Sequence, residues 1–155
     1  MSELINALLS GNTVGVEDYI NDTWEFLKPL GEETGGNEGF KYMGILWGTL
    51  VHFSETYDFK FHNEDGEEYP YIEMTPKNKT LISSSVIIMI AVKQNDETLV
   101  NASKRAIDEI KKRKIFQNMI NDGFMPCNIK LYGLGCFIKD CAVRCETAYQ
   151  FIRPC

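Results

Sequence analysis

The run Val86-Ile87-Ile88-Met89-Ile90 constrains the fold of this chain more than any other stretch. It is apolar without alternation, so a strand formed there needs cover on both faces, and it is too short to stand as an independent helix. Leu81 to Val92 is therefore predicted to be a buried strand, with Val86 to Ile90 forming the central strand of a sheet. The apolar run to Val92 is about a third of the roughly 20 residues that a membrane-crossing helix requires, so no bilayer span is expected.

The partners of that strand follow from the spacing of apolar residues. Val16, Tyr19, Ile20, Thr23, Phe26, Leu27 and Leu30 recur at intervals of three and four, which predicts a helix over Val16–Leu30 with Asp18, Asn21, Asp22 and Glu25 on its polar side. Glu17 and Asp18 suit the positive end of its dipole, and Pro29 marks the region where it ends. A shorter helical turn over Glu3 to Leu9 precedes it. Gly31 to Gly39 carries four glycines in nine residues and is expected to be a mobile surface loop.

From Phe40 to Met74 the texture turns aromatic and β-branched. Tyr57-Asp58-Phe59-Lys60-Phe61-His62 alternates with the period of a half-buried strand, Asn63-Glu64-Asp65-Gly66 supplies a turn, and Tyr69 to Met74 returns as the partner. Pro70 cannot donate to a ladder, which places the returning strand at a sheet edge or starts it after the proline.

Beyond the central strand, Asn95 or Asp96 is expected to cap a helix running to about Arg113. Leu99, Ala102, Ala106 and Ile110 face inward, flanked by Ile107, while Lys104, Asp108, Lys111 and Lys112 pair on the far side. Ile115 and Met119 fall off that stripe, which predicts a bend near Lys114 and a short helical piece before Gly123. Ile129–Ile138 and Cys141–Ile152 read as two more strands joined by Lys139-Asp140. At 155 residues the chain fits one core. The element order predicts a single α+β domain over residues 1–155, with a mixed, mostly antiparallel sheet and helices packed on one face.

Candidate chemistry is sparse. Cys127, Cys136, Cys141, Cys145 and Cys155 are odd in number and crowd into the last 29 residues, which fits free thiols in a reducing compartment better than a disulfide framework. Cys136, Cys141 and Cys145 form the densest set of potential metal ligands. They lack the closely spaced pairs of structural zinc, and in a hairpin Cys136 is expected to lie opposite Val143, so small core hydrophobes explain them best. A nucleophilic cysteine needs a base, and His52 and His62 are the two histidines of the chain; both sit in strand-like aromatic context that accounts for them.

Glu64, Asp65, Glu67 and Glu68 around Gly66 lack the alternate spacing of a calcium loop, so a solvated turn is expected. Gly31, Gly35, Gly36 and Gly39 match no phosphate-binding pattern. Lys111-Lys112-Arg113-Lys114 is the one basic run, and Asp108 and Glu109 one turn earlier make it a salt-bridged helix face, with contact to an acidic neighbouring subunit the alternative. No catalytic residue, metal ligand or cofactor site is assigned. A formal charge of −6 argues against a surface that gathers nucleic acid. The acidic, short apolar start Met1-Ser2-Glu3-Leu4-Ile5 does not predict export.

The stretch from Ser84 through Val86-Ile87-Ile88-Met89-Ile90-Ala91-Val92, the capped helix from Asp96, and paired strands ending in Ala148-Tyr149-Gln150-Phe151-Ile152 together resemble phage tail-terminator and related neck or tail-completion proteins. That resemblance covers most of the chain and lies in element order and size. It implies a non-enzymatic structural virion protein, made in the bacterial host cytoplasm, that forms a homo-oligomeric ring and contacts other neck or tail proteins. The Cys-rich final hairpin leaves a second expectation, a small cytoplasmic enzyme or metal-binding module, and a monomeric regulatory binding module is a third.

Overall fold

The computed structural model describes residues 3–31, 38–62, 68–79, 84–137 and 140–149. In chain order these form helices α1 (Glu3–Ser10), α2 (Thr13–Gly31) and α3 (Glu38–Leu50), then strands β1 (Tyr57–His62), β2 (Tyr71–Pro76) and β3 (Ser85–Val92). Helices α4 (Leu99–Arg113) and α5 (Gln117–Asn121) follow, and strands β4 (Ile129–Phe137) and β5 (Asp140–Thr147) complete the described chain. The strands lie in the order β1-β2-β3-β4-β5, so β3 is the middle strand. Every pairing is antiparallel except β3 with β4. That one is parallel because α4 and α5 lie between its strands, and a parallel pair requires a crossover of that kind. The domain is α+β with a mixed, mostly antiparallel sheet.

Residues Val86 to Ala91 of β3 are all buried, and their side chains divide between two cores. Val86, Ile88 and Ile90 pack with Leu4, Leu8, Ile20, Leu46 and Leu50 from α1, α2 and α3. Ile87, Met89 and Ala91 pack with Ala102, Ala106, Ile107 and Ile110 of α4 and with Phe116 and Met119 beyond it. Helices therefore cover both faces, not one as the element order suggested. A strand apolar on both sides can be stable in no other way.

Helix α4 lies close on β4 because two residues there have no side chain. A Cβ at Gly133 would collide with the Ser103 carbonyl oxygen, and one at Gly135 with the Leu99 carbonyl oxygen and the Ser103 amide nitrogen. Glycine at both positions lets helix backbone rest on strand backbone. The cap of α4 is Thr98, whose hydroxyl accepts from the Asn101 amide at 3.0 Å, and not Asn95 or Asp96. Those two residues form a turn ahead of it. The helix ends at Arg113 as predicted, and Lys114 adopts the left-handed conformation (φ 52°) that makes the bend before α5. Lys111 departs from the expected pairing within the helix and bonds Glu146 of β5; Arg113 pairs with Glu109 one turn back.

Residues 38–50 are helical, although their aromatic texture suggested otherwise. Tyr42, Met43, Leu46 and Leu50 recur at helical spacing and are buried together in the first core. Helix α2 continues to Gly31, two residues past Pro29, and the ends of the expected glycine loop, Gly31 and Glu38–Gly39, belong to helices. The rest of that loop, the turn at 63–67, the start of the Leu81–Val92 stretch, Ile138, Lys139, and Gln150 to Cys155 lie outside the described residues. Strand β2 begins after Pro70, and it is an interior strand between β1 and β3. Strand β5 ends at Thr147, so Ala148 and Tyr149 are helical and do not extend it.

Candidate functional site

The cysteines were the first candidates, and β4 and β5 set their geometry. Cys136 lies opposite Cys141, while Val143 pairs with Leu134; the register is two residues from the one a Lys139-Asp140 turn implies. A two-residue shift keeps every side chain on its face, so Cys136 and Cys141 still enter the core, with their Sγ atoms 3.8 Å apart. Cys145 lies opposite Tyr132. Burial pushes the Cys145 thiol up, which keeps it protonated and a poor nucleophile. Burial, then Cys145, also raises the Tyr132 hydroxyl, which donates to the Leu8 carbonyl at 2.7 Å and ties α1 to the sheet. Cys127 is exposed, away from this group. Cys155 and the acidic residues Glu64, Asp65 and Glu67 lie outside the described residues, and Glu68 is exposed. Among the described residues no three His, Cys, Asp or Glu side chains form a metal-binding group.

The histidines are apart from the thiols. His52 is exposed in a 3-10 turn at Val51–Phe53, correcting its strand-like assignment. His62 is on β1, where its Nε2 lies 2.7 Å from Glu73 Oε2 and its ring stacks on Tyr71 with centroids 4.1 Å apart. Sequence reasoning missed this pair because Glu73 reaches His62 diagonally across the β1–β2 ladder, whose register has His62 opposite Tyr71. A histidine and a carboxylate can move a proton, yet the thiols that could use them are three and four strands from His62, on β4 and β5.

The two edges of the sheet differ. Along β5, the Glu17 carboxylate of α2 accepts from the Val143 amide at 3.2 Å, and the Tyr42 hydroxyl of α3 donates to the Asp140 carbonyl at 3.0 Å. The Val143 amide points outward from the sheet and is covered by Glu17, while Asp140 has the opposite parity and Tyr42 meets it at the end of the β4–β5 hairpin. On β1, the bond from the Lys77 amide to the Thr56 carbonyl fixes which residues bond inward to β2. Asp58, Lys60 and His62 share that parity, so the amides and carbonyls of Tyr57, Phe59 and Phe61 point outward. Among the described residues no side chain bonds them.

Aromatic side chains cluster at the same edge. Tyr57, Phe59 and Phe61 line one face at successive centroid distances of 6.2 Å, and Trp47 of α3 meets Phe61 edge-on at 4.2 Å. Trp47 is 46% exposed. Asp58 and Lys60 project from the opposite face of β1 into solvent. A second site, an open polar groove of about 710 Å³ between α1 and α2, carries Glu3, Asp18 and Asp22. The basic run is dispersed: Lys111 and Arg113 are paired with glutamates, Lys112 is exposed, and Lys114 forms the bend. Among the described residues no helix is long and apolar enough to cross a membrane. No family model matches the sequence, and no curated protein matches it.

Proposed function

We propose that this chain is a structural virion protein, made in the bacterial host cytoplasm, that forms a ring at the head–tail junction or the tail end of a phage particle. The observation that supports it is the outer edge of β1, whose outward amides and carbonyls no described side chain bonds, with Trp47 exposed beside it, in a domain where Glu17 occupies the Val143 amide of the other edge. An edge strand with free amides and carbonyls is a template for another chain. The acidic charge suits a ring around passing DNA, since a negative lumen does not retain it. No catalytic step and no cofactor enter this reading. Its partners are further copies of the chain and other neck or tail proteins.

The facing thiols of Cys136 and Cys141 favour a second reading, a thiol-dependent enzyme or metal-binding module. Their burial in the core weighs against it, because a nucleophile must be reached by substrate and held as thiolate. Electron microscopy of purified particles, or of the chain mixed with the products of neighbouring genes, tests the proposal. A ring of this chain around an axial channel is the expected result. A chain that stays apart from every such partner and turns over a small molecule overturns it.

A further inference from the structure

We propose that two copies of this chain pair through β1, antiparallel, about a two-fold axis at Phe59. The inference rests on the edge strand alone and not on the ring.

The backbone permits few registers. Outward amides and carbonyls belong to Tyr57, Phe59 and Phe61, and an antiparallel ladder must bring such residues opposite one another. Pairing Phe59 with Phe59 of the second copy puts Tyr57 opposite Phe61 on each side of the axis. Each of those pairs exchanges two backbone hydrogen bonds.

The charges then choose among the registers. With Phe59 on the axis, Asp58 of each copy lies opposite Lys60 of the other, and the two-fold makes that attraction twice. Moving the axis by one residue toward the N-terminus sets Asp58 against Asp58, and moving it by one toward the C-terminus sets Lys60 against Lys60. Like charges directly opposite each other on neighbouring strands are destabilising, and opposite charges are favourable. Both residues are exposed and stand clear of the two cores, and the exposed ion pair of Asp58 with Lys77 at 4.0 Å is weak enough to yield to a partner. Charged residues on an edge strand ordinarily keep other chains away. Here a carboxylate and an ammonium two positions apart repel a copy in the neighbouring registers and attract it in one.

The same register brings aromatic surface together. Phe59 and Phe61 are half-buried and follow Tyr57 along the face that α3 approaches through Trp47. Pairing sets Phe59 beside its own copy and Phe61 beside Tyr57; Tyr57 is already buried in the first core, so the Phe59 pair adds most to the backbone bonds. A two-fold contact closes after two copies. A ring therefore needs a further surface, and the exposed Val100 of α4 and Phe137 at the end of β4 lie away from β1.

Sedimentation equilibrium of the full chain over a concentration series is the test. The wild type should reach the mass of two copies. Asp58→Lys alone and Lys60→Asp alone each replace attraction by repulsion at both symmetric positions and should weaken association roughly tenfold or more. An equimolar mixture of the two variants restores opposite charges across the axis and should recover the two-copy mass. Circular dichroism on each variant separates lost pairing from lost folding, and a Lys60→Gln variant, which removes one charge without reversal, should fall between. A wild type that keeps one-copy mass to its solubility limit overturns the proposal, as do single variants that pair as tightly as the wild type or a mixture that fails to recover. Whether rings appear in micrographs is a separate measurement, so failure of the two-fold contact and failure of the ring are told apart.

Discussion

The half of the sheet formed by β3, β4 and β5 and the half formed by β1 and β2 come from one chain and are finished differently. In the first half helices lie on both faces, α4 rests on glycine, and the edge amide of Val143 is occupied by Glu17. In the second half one face carries Asp58, Lys60, His62 and Glu73, with Tyr71 at the margin of the second core, and among the described residues no side chain bonds the outward backbone of β1. On the proposed reading, stability and interaction fall to different strands. Substitutions should separate them, because effects in the sealed half fall on folding and effects in the open half fall on association.

The largest effects belong to the sealed half. Ile88→Asp places an unpaired charge between α1–α3 and the strand, and Gly135→Val drives a side chain into α4 backbone; both should abolish soluble expression. Recovery of folded Ile88→Asp in soluble form would break the core assignment. A smaller loss is expected at Arg105, which donates to Glu97 at 2.8 Å, to the Tyr69 hydroxyl at 2.8 Å and to the Val92 carbonyl at 2.8 Å. It joins the approach to β2, the end of β3 and the start of α4, and Arg105→Ala should cost about 2 kcal/mol in urea unfolding.

The same clamp gives a pH dependence. The hydrogen bond from Arg105 holds the Glu97 carboxyl below its ordinary value of 4.5. Burial pushes Glu146 up, and its bonds to Lys111 and Arg144 outweigh that and leave it lowered. A carboxyl whose folded value is depressed contributes stability that is fully present above its unfolded value and is lost as pH falls through the folded one. Unfolding free energy measured against pH should therefore be flat above 4.5 on account of these groups and decline below it. Glu97→Gln should make that decline shallower.

Glu17→Ala sharpens the comparison of the edges, because it strips the Val143 amide of its partner. The loss should be about 1 kcal/mol, accompanied by faster exchange at Val143. The smallest effects on stability are expected at Asp58 and Lys60, where reversal of either charge should change the unfolding free energy by less than about 0.5 kcal/mol. The ion pair between Asp58 and Lys77 at 4.0 Å is exposed and adds little.

Periodicity made much of this legible. The unbroken apolar run marked β3, alternation marked β1, the three-and-four stripe marked α2 and α4, and the misfit of Ile115 and Met119 marked the bend at Lys114. Helix α3 was obscured because Tyr42, Trp47 and their aromatic neighbours suit a strand as well as a helix, and the burial that decides between them is tertiary. Strand order is not a local property either. Pro70 placed the start of β2 but not the strand that lies outside it, and the capping of Val143 by Glu17 joins residues 126 positions apart. Gly133 and Gly135 could have signalled close approach of a helix, since glycine inside a strand weakens it unless another backbone needs the space.

Amide hydrogen exchange at single-residue resolution tests the division of the sheet most directly, comparing concentrated wild type with the Asp58→Lys variant. The account predicts that Tyr57, Phe59 and Phe61 are protected in the wild type and exchange freely in the variant, while Ile87, Met89 and Val143 stay protected in both. Equal exchange at Tyr57, Phe59 and Phe61 in the two proteins, or loss of protection at Val143 alongside them, would contradict it.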